Sequence, residues 1–208
     1  MTEGDDMQRK IGLVMIFLGF AQFVYFGVDW WQQRQAIQQM SDEELNQYLG
    51  YEDTYHEGIQ IKNSNESNGK PHVQMGEEIG ELHIPTIKNK YPIFLGTDSA
   101  TLKSGVGMHK SKWTVLPNEN GHVLLSGHRD TVFEEMGELK IGDALSIDFE
   151  GSTYVYQIRK IFITNKEDRT VIVRKEQPLL TISTCYPFEF IGKAPHRYII
   201  QSELIDVR

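Results

Sequence analysis

Ile11 to Val28 is an apolar run broken by one strongly polar residue, Gln22, and preceded by Arg9 and Lys10. At 1.5 Å per residue a helix over it spans roughly 27 Å, close to the roughly 30 Å hydrocarbon core of a bilayer. The run is apolar all round, unlike the one-sided stripe of a helix packed on a soluble core. A cleaved signal peptide would have a shorter apolar core and a small-x-small exit, whereas Gly19-Phe20-Ala21 falls within the run. We therefore expect a retained transmembrane helix over 11–28 behind a cytoplasmic tail, residues 1–10. The basic pair puts the N-terminus in the cytoplasm, and Tyr25, Trp30 and Trp31 fit an aromatic belt at the opposite interface. Everything after residue 30 is then extracytoplasmic.

Residues 29–50 are polar and helix-compatible, and Ser41-Asp42-Glu43-Glu44 has the form of a capping box, with Gly50 as a stop. They are expected to form a helical stalk. From 51 to 76 the composition shifts to Gly, Asn, Ser, Glu and Lys, centred on Asn63 to Gly69, with no hydrophobic period. That segment reads as a flexible linker. A folded domain is expected over 77–208, where short β-like runs alternate with turn residues. The runs are Gly80 to Ile84, Tyr91 to Leu95, His122 to Ser126, Ala144 to Phe149, Thr153 to Thr164, Thr170 to Val173, Leu179 to Thr184 and Arg197 to Ile205. Eight short strands in a mainly β domain suggest a closed barrel or sandwich, with helical turns limited to Ser99 to Ser104 and Thr131 to Leu139.

The formal net charge of −8 argues against a nucleic-acid partner, which would call for a basic face. The single cysteine, Cys185, excludes an internal disulfide framework and a cysteine-rich zinc site. It ends the β-like run Thr181-Ile182-Ser183-Thr184 and is followed by Tyr186-Pro187, so a strand delivers it to a turn. A buried, inert thiol is the plain reading of such a residue. An extracytoplasmic thiol left unpaired needs a reason, and nucleophilic catalysis is one.

A thiol is nucleophilic as the thiolate, so it needs a base or cation beside it. Among the seven histidines, His56 and His72 lie in the stalk and linker, His83 and His122 sit in strand-like runs, and His196 sits beside a proline in a loop. His128 ends the run Leu124-Leu125-Ser126-Gly127 in the same way as Cys185 ends its own, with Asp130 placed to orient the ring. His109, after Gly105-Val106-Gly107-Met108, is the second choice. An oxyanion formed at an attacked carbonyl needs a donor. Arg197 opens the last strand-like run twelve positions after Cys185, and the intervening loop can set the two side by side. Guanidinium groups stay charged at any working pH.

Thr181-Ile182-Ser183-Thr184-Cys185, with a histidine upstream after a glycine and an arginine a dozen residues downstream, resembles the sortases, the membrane-anchored cysteine transpeptidases of Gram-positive bacteria. Ile84-Pro85, Leu95-Gly96-Thr97-Asp98, Leu102 to Gly107, Leu125 to Phe133, Gly137-Glu138-Leu139 and Ala194-Pro195-His196-Arg197-Tyr198 look like class D segments, and they occur in the matching order. The resemblance implies a closed eight-stranded β-barrel with short helices, behind an N-terminal transmembrane helix. It implies Cys185 as nucleophile, His128 as general acid/base and Arg197 as the residue that holds the substrate or its oxyanion. Thr184, Tyr186, Ala194 and Pro195 become candidates for contact with substrate, with Asp130 and His109 as secondary candidates.

The family cuts an LPxT-like sorting signal after threonine, holds it as a thioester and passes it to an amine of a lipid II-like peptidoglycan precursor. The segment between the sixth and seventh strands of that fold, here about 165–177, would shape the signal groove, and the loop 186–195 its other wall. No Asp-Pro occurs in the chain, so the lid of the pilus-building class is not expected, and an anchoring role is favoured. We expect no cofactor and no metal: Glu119, Glu167 and Asp168 are too few and too widely spaced for calcium.

Other readings compete. His128-Arg129-Asp130 matches the start of a kinase catalytic loop, but Glu135 stands where the asparagine belongs and no Asp-Phe-Gly occurs. Zinc on Cys185, His122 and His128 lacks a second cysteine or helical spacing. A secreted thiol hydrolase could use the same three groups to pass the acyl chain to water. A non-catalytic, membrane-tethered β-domain with a buried Cys185 would use none of them.

Overall fold

The computed structural model describes residues 3–51, 54–61, 73–189, 192 and 194–208. Two compact units divide the chain, Met1–Gln35 and Ala36–Arg208. The first holds one helix, α1 (Glu3–Arg34), of which Met7–Arg34 is long and apolar enough to cross a membrane. Its large apolar side chains, such as Phe17, Phe20 and Phe23, are exposed. Water would resist that much bare hydrocarbon, and a lipid core would not. An apolar helix of this kind fits a single-pass anchor.

The second unit is built on β1 (Gln38–Gln39), β2 (Glu78–Ile84), β3 (Asn89–Leu95), β4 (Val106–Met108), β5 (His122–Ser126), β6 (Ala144–Phe149), β7 (Ser152–Asn165), β8 (Leu179–Tyr186) and β9 (His196–Val207). Two short helices, α2 (Asp42–Asn46) and α3 (Ser99–Ser104), and two 3₁₀ turns, Pro85–Ile87 and Glu134–Glu138, complete it among the described residues. The strand order is β1-β3-β2-β6-β7-β9-β8-β5-β4, and β4 also pairs with β3. That last pairing closes β2 to β9 into an eight-stranded barrel, as expected, and leaves the two-residue β1 on the outer edge of β3.

Closure follows from the alternation of side chains. In β3, Asn89, Tyr91, Ile93 and Leu95 point inward and are buried, while the residues between them are half-exposed. Residues of that kind from each strand meet in one core with Leu125, Ile147, Tyr156 and Ile200. Glu150 and Gly151 join β6 to β7, both at positive φ (49° and 79°), which is the backbone of a two-residue hairpin turn matched to strand twist.

Two strands depart from the sequence expectation. Val106–Met108 is β4, a glycine-flanked and glycine-interrupted stretch that is not among the expected strand-like runs. The strand runs parallel to β3 so closely that a Cβ on Gly107 would lie 2.3 Å from the Gly96 carbonyl oxygen, so glycine is what permits the closure. Thr170 to Val173, expected as a strand, is not one. Asp168 accepts hydrogen bonds from the Thr170 amide (2.8 Å), the Thr170 hydroxyl (2.7 Å) and the Thr164 hydroxyl (2.5 Å). Those local bonds fold the backbone into a turn and withhold it from a ladder.

The helical stalk expected over 29–50 also takes another form. α1 ends at Arg34, and the chain then makes β1 and the capped α2. Ser41 and Glu44 exchange both capping-box bonds, and Glu44 also accepts from Lys90 Nζ at 2.8 Å. The Lys90 bond, with help from the Ser41 amide, brings the Glu44 carboxyl down to about 2. Tyr48 is 2 % exposed, its hydroxyl 2.6 Å from Ser146 Oγ.

Residues 54–61, within the expected linker, lie along the barrel. The Ile59 amide donates to Leu204 O (2.8 Å), the Ile61 amide to Asn120 Oδ1 (2.9 Å), and Arg159 reaches the His56 carbonyl and covers the Tyr55 ring. The Asn63 to Gly69 centre of that linker and His72 lie outside the described residues. The compact unit therefore begins at Ala36, well before the expected start at 77.

Candidate active site

Three neighbouring strands carry the site. β5 and β8 run parallel with Ser126 opposite Ser183, and His128 and Cys185 each follow two residues further on. The Thr184 hydroxyl donates to Gly127 O at 2.9 Å and extends that register past the end of β5. β8 and β9 run antiparallel with Cys185 directly opposite Arg197. Adjacent strands lie about 4.8 Å apart, and directly paired residues project from the same face. His128, two residues past the end of β5, thus lies at a strand end neighbouring those of Cys185 and Arg197, and the three line one cleft.

Gly127 makes the turn to His128 possible by being small. A Cβ there would lie 2.6 and 2.7 Å from the ring of the fully buried Phe133 and 2.8 Å from Val132. On the opposite face of the β8 end, Tyr186 stacks on Tyr198 and Phe188 meets both edge-on, with centroids 5.2 to 6.0 Å apart. Cys185 itself is half-buried. A fully buried thiol is therefore not what this fold contains.

The three residues open into one cleft of about 360 Å³, with Asp130, Ala194 and Lys166 also on its walls. A narrower groove of about 190 Å³ runs beside it and shares Lys166 and Arg197, with Ser126, Ser183, His109 and Asp168 among its lining. One wall of the groove is the connection between β7 and β8, residues 166–178, the segment expected to shape it. His122 holds that wall. Its Nδ1 lies 2.8 Å from Val173 O and its Nε2 2.7 Å from Thr181 Oγ1, so the ring donates at Nδ1 and accepts at Nε2. Burial, only partly offset by the Val173 carbonyl, lowers its affinity for a second proton.

The remaining expected positions divide. Ala194 and Asp130 line the cleft. Thr184 does not reach it: the side chain is buried on the opposite face and holds Gly127. Tyr186 shares that face and belongs to the aromatic stack. Pro195 contributes its carbonyl, which accepts from the Lys166 amide at 3.1 Å and joins the β7 and β9 ends. His109 lies in the groove, away from the Cys185 cleft, with Nδ1 3.3 Å from Thr97 Oγ1, and burial lowers its pKa.

Two cleft residues carried no signal that single-sequence reading could use. Lys166 follows the long strand in a mixed-charge stretch, and Arg129 reads as a surface charge in a loop yet is buried.

Among the described residues, Glu81, His83 and Asp148 could converge on a cation. Lys90 Nζ already lies 3.6 Å from Glu81, and His83 bonds Glu81 at 2.6 Å, so that cluster closes on itself far along the chain from the cleft.

A half-exposed thiol that shares a cleft with an imidazole and is paired across the ladder with an arginine is the equipment of a thiol-dependent acyl-transfer enzyme. Residues 82–205 match the family model of the sortase domain. Sortase D of Bacillus subtilis (strain 168) is 42% identical over 142 residues, covering 68% of this chain and 70% of that protein. The catalytic domain of B. anthracis SrtD is 48% identical with a TM-score of 0.59, covering 69% of this chain and 97% of that one. A Clostridium perfringens sortase D5 transpeptidase is 27% identical with the same TM-score, covering 65% and 83%. The chain belongs to the sortase family, is similar to its class D members, and is a cysteine transpeptidase.

Proposed function

We propose that this transpeptidase cleaves an LPxT-like sorting signal after its threonine and transfers the acyl chain to an amine of a lipid II-like cell-wall precursor, thereby anchoring surface proteins. The observation that carries the reading is the grouping of His128, Cys185 and Arg197 at neighbouring strand ends. The Cys185 thiolate attacks the threonine carbonyl carbon, and the guanidinium of Arg197 faces the oxygen on which negative charge develops. The C–N bond then breaks, and His128, protonated at the start, gives its proton to the departing amine. The product is a thioester on Sγ. An incoming amine attacks it, His128 takes the amine's proton, and the thiolate leaves. His128 and Cys185 return to their starting state.

The groove beside the cleft is the place for the leucine and proline of the signal, with Val171, Ile172 and Ile199 supplying apolar contact. The basic pair Arg9 and Lys10 ahead of the apolar run supports a cytoplasmic N-terminus and an extracytoplasmic catalytic domain, on the side where a cell-wall acceptor is found.

Incubation of residues 36–208 with an LPxT peptide and a primary amine tests the reading. An amide joining the two supports it. Free peptide acid alone points to hydrolysis, and an unchanged peptide removes both.

A further inference from the structure

Arg129 follows His128 and is only 8 % exposed. A guanidinium taken out of water is strongly destabilising unless its donors are used. Nη1 donates to Pro187 O at 3.1 Å and Nη2 to Gly192 O at 2.7 Å. Those carbonyls lie on either side of Phe188 and Glu189 in the loop between β8 and β9, whose first turn leaves Cys185 and whose later part, with Gly192 and Ala194, walls the cleft. One planar fork therefore ties two separated points of the loop to the segment that carries His128.

We propose that Arg129 is a positioning residue for the transfer reaction: it clamps the β8–β9 loop onto the His128 segment and so sets imidazole, thiol and cleft wall at one spacing. The proposal rests on the reading of Cys185 and His128 as the reacting pair.

The chemistry of the residue type fits the task. Two carbonyls accepting from one rigid guanidinium fix both distance and direction, whereas a lysine at the same place supplies one flexible point donor. Pro187 lacks an amide hydrogen, and Phe188 is fixed through its ring to Tyr186 and Tyr198 on the face away from the cleft. The register bond from Thr184 to Gly127 holds the strand ends, and Arg129 holds what lies beyond them.

A displacement of about 1 Å between reacting groups can lower a rate about 100-fold. The test compares wild type, Arg129→Lys and Arg129→Ala in residues 36–208 by peptide-to-amine transfer kinetics, thermal melting and amide hydrogen exchange. The clamp predicts that kcat falls about 10- to 100-fold in Arg129→Ala and less in Arg129→Lys. It also predicts faster exchange at Phe188, Glu189 and Gly192, with β6 and β7 as protected as in wild type.

A folded Arg129→Ala protein with wild-type kcat and wild-type exchange in the loop overturns the proposal. A loss of melting temperature with kcat per folded molecule unchanged also overturns it, because it makes Arg129 merely structural. Should Arg129→Ala fail to fold, Arg129→Lys decides by the same criteria. The exchange readout is independent of substrate, so a wild type inactive on the chosen peptide leaves the clamp decidable by loop exchange and puts the failure on the transfer reading.

Discussion

Cys185 and Arg197 are directly paired across β8 and β9, so their side chains leave the same face of the sheet from backbone positions one strand spacing apart. The pairing belongs to the backbone ladder and does not depend on either side chain. Replacing Arg197 should therefore leave the barrel standing while removing the donor to the developing oxyanion. Arg197→Ala is expected to lower kcat/KM about 100- to 1,000-fold. Arg197→Lys should recover only part of this, because one ammonium replaces a fork. Steady-state transfer kinetics beside a melting curve check the expectation, and an unchanged rate would remove Arg197 from the mechanism.

Gly127 is constrained from outside by the Phe133 ring and Val132. Gly127→Ala puts a methyl group where no room exists, and overpacking of this kind is destabilising by about 1–3 kcal/mol. Relief requires Phe133 or the His128 segment to shift, so activity should fall along with the urea midpoint. Denaturation and transfer assays on the same preparation check both effects.

The chain ahead of the barrel contributes to its stability. Tyr48 and Met40 are both buried, and α2 is tied to β3 by Glu44 and Lys90. Burying one large apolar side chain stabilises by about 1.5–3 kcal/mol. Residues 77–208 alone should therefore unfold at clearly lower urea than residues 36–208, with a stability loss of about 3 kcal/mol or more. Equal midpoints would show that residues 36–76 are passive.

His122 makes stability depend on pH. Burial disfavours its charged form in the folded state, so the unfolded chain binds more protons below the ordinary histidine range. The contribution is fully present above about pH 6.5, the unfolded value, and is lost as pH falls through the lower folded one. Lys175 and His109 oppose the charge further, while the Val173 carbonyl favours it. Wild type should lose stability between neutral pH and pH 5 more steeply than His122→Gln, whose amide does not titrate. Urea unfolding at several pH values checks the difference in slope, which for one proton cannot exceed about 1.4 kcal/mol per pH unit.

The sequence disclosed the barrel where hydrophobic alternation and turn residues agreed, as in β3, β5, β6 and the Glu150-Gly151 hairpin. It concealed β4 because closure there demands glycine, the residue that otherwise marks a loop. It misrepresented Thr170 to Val173 because a side chain, Asp168, captured the backbone that would have paired. Cys185 and His128 stood out because each ends a strand-like run with a reactive group, and Arg197 because it opens one. Thr184 and Tyr186 stood beside the nucleophile but lie on the other face, as the period of two along a strand dictates. Arg129 stayed hidden since its partners are backbone carbonyls some sixty residues away, which no local pattern encodes.

Intact-protein mass spectrometry of residues 36–208 mixed with an LPxT peptide, in the absence of an amine, is the most direct test of the central claim. The expected result is an adduct with the mass of the peptide up to its threonine, located on Cys185, absent from Cys185→Ala and released by hydroxylamine as a thioester would be. Peptide cleavage by Cys185→Ala at the wild-type rate, or cleavage by wild type with no adduct on Cys185 at any time, would contradict it.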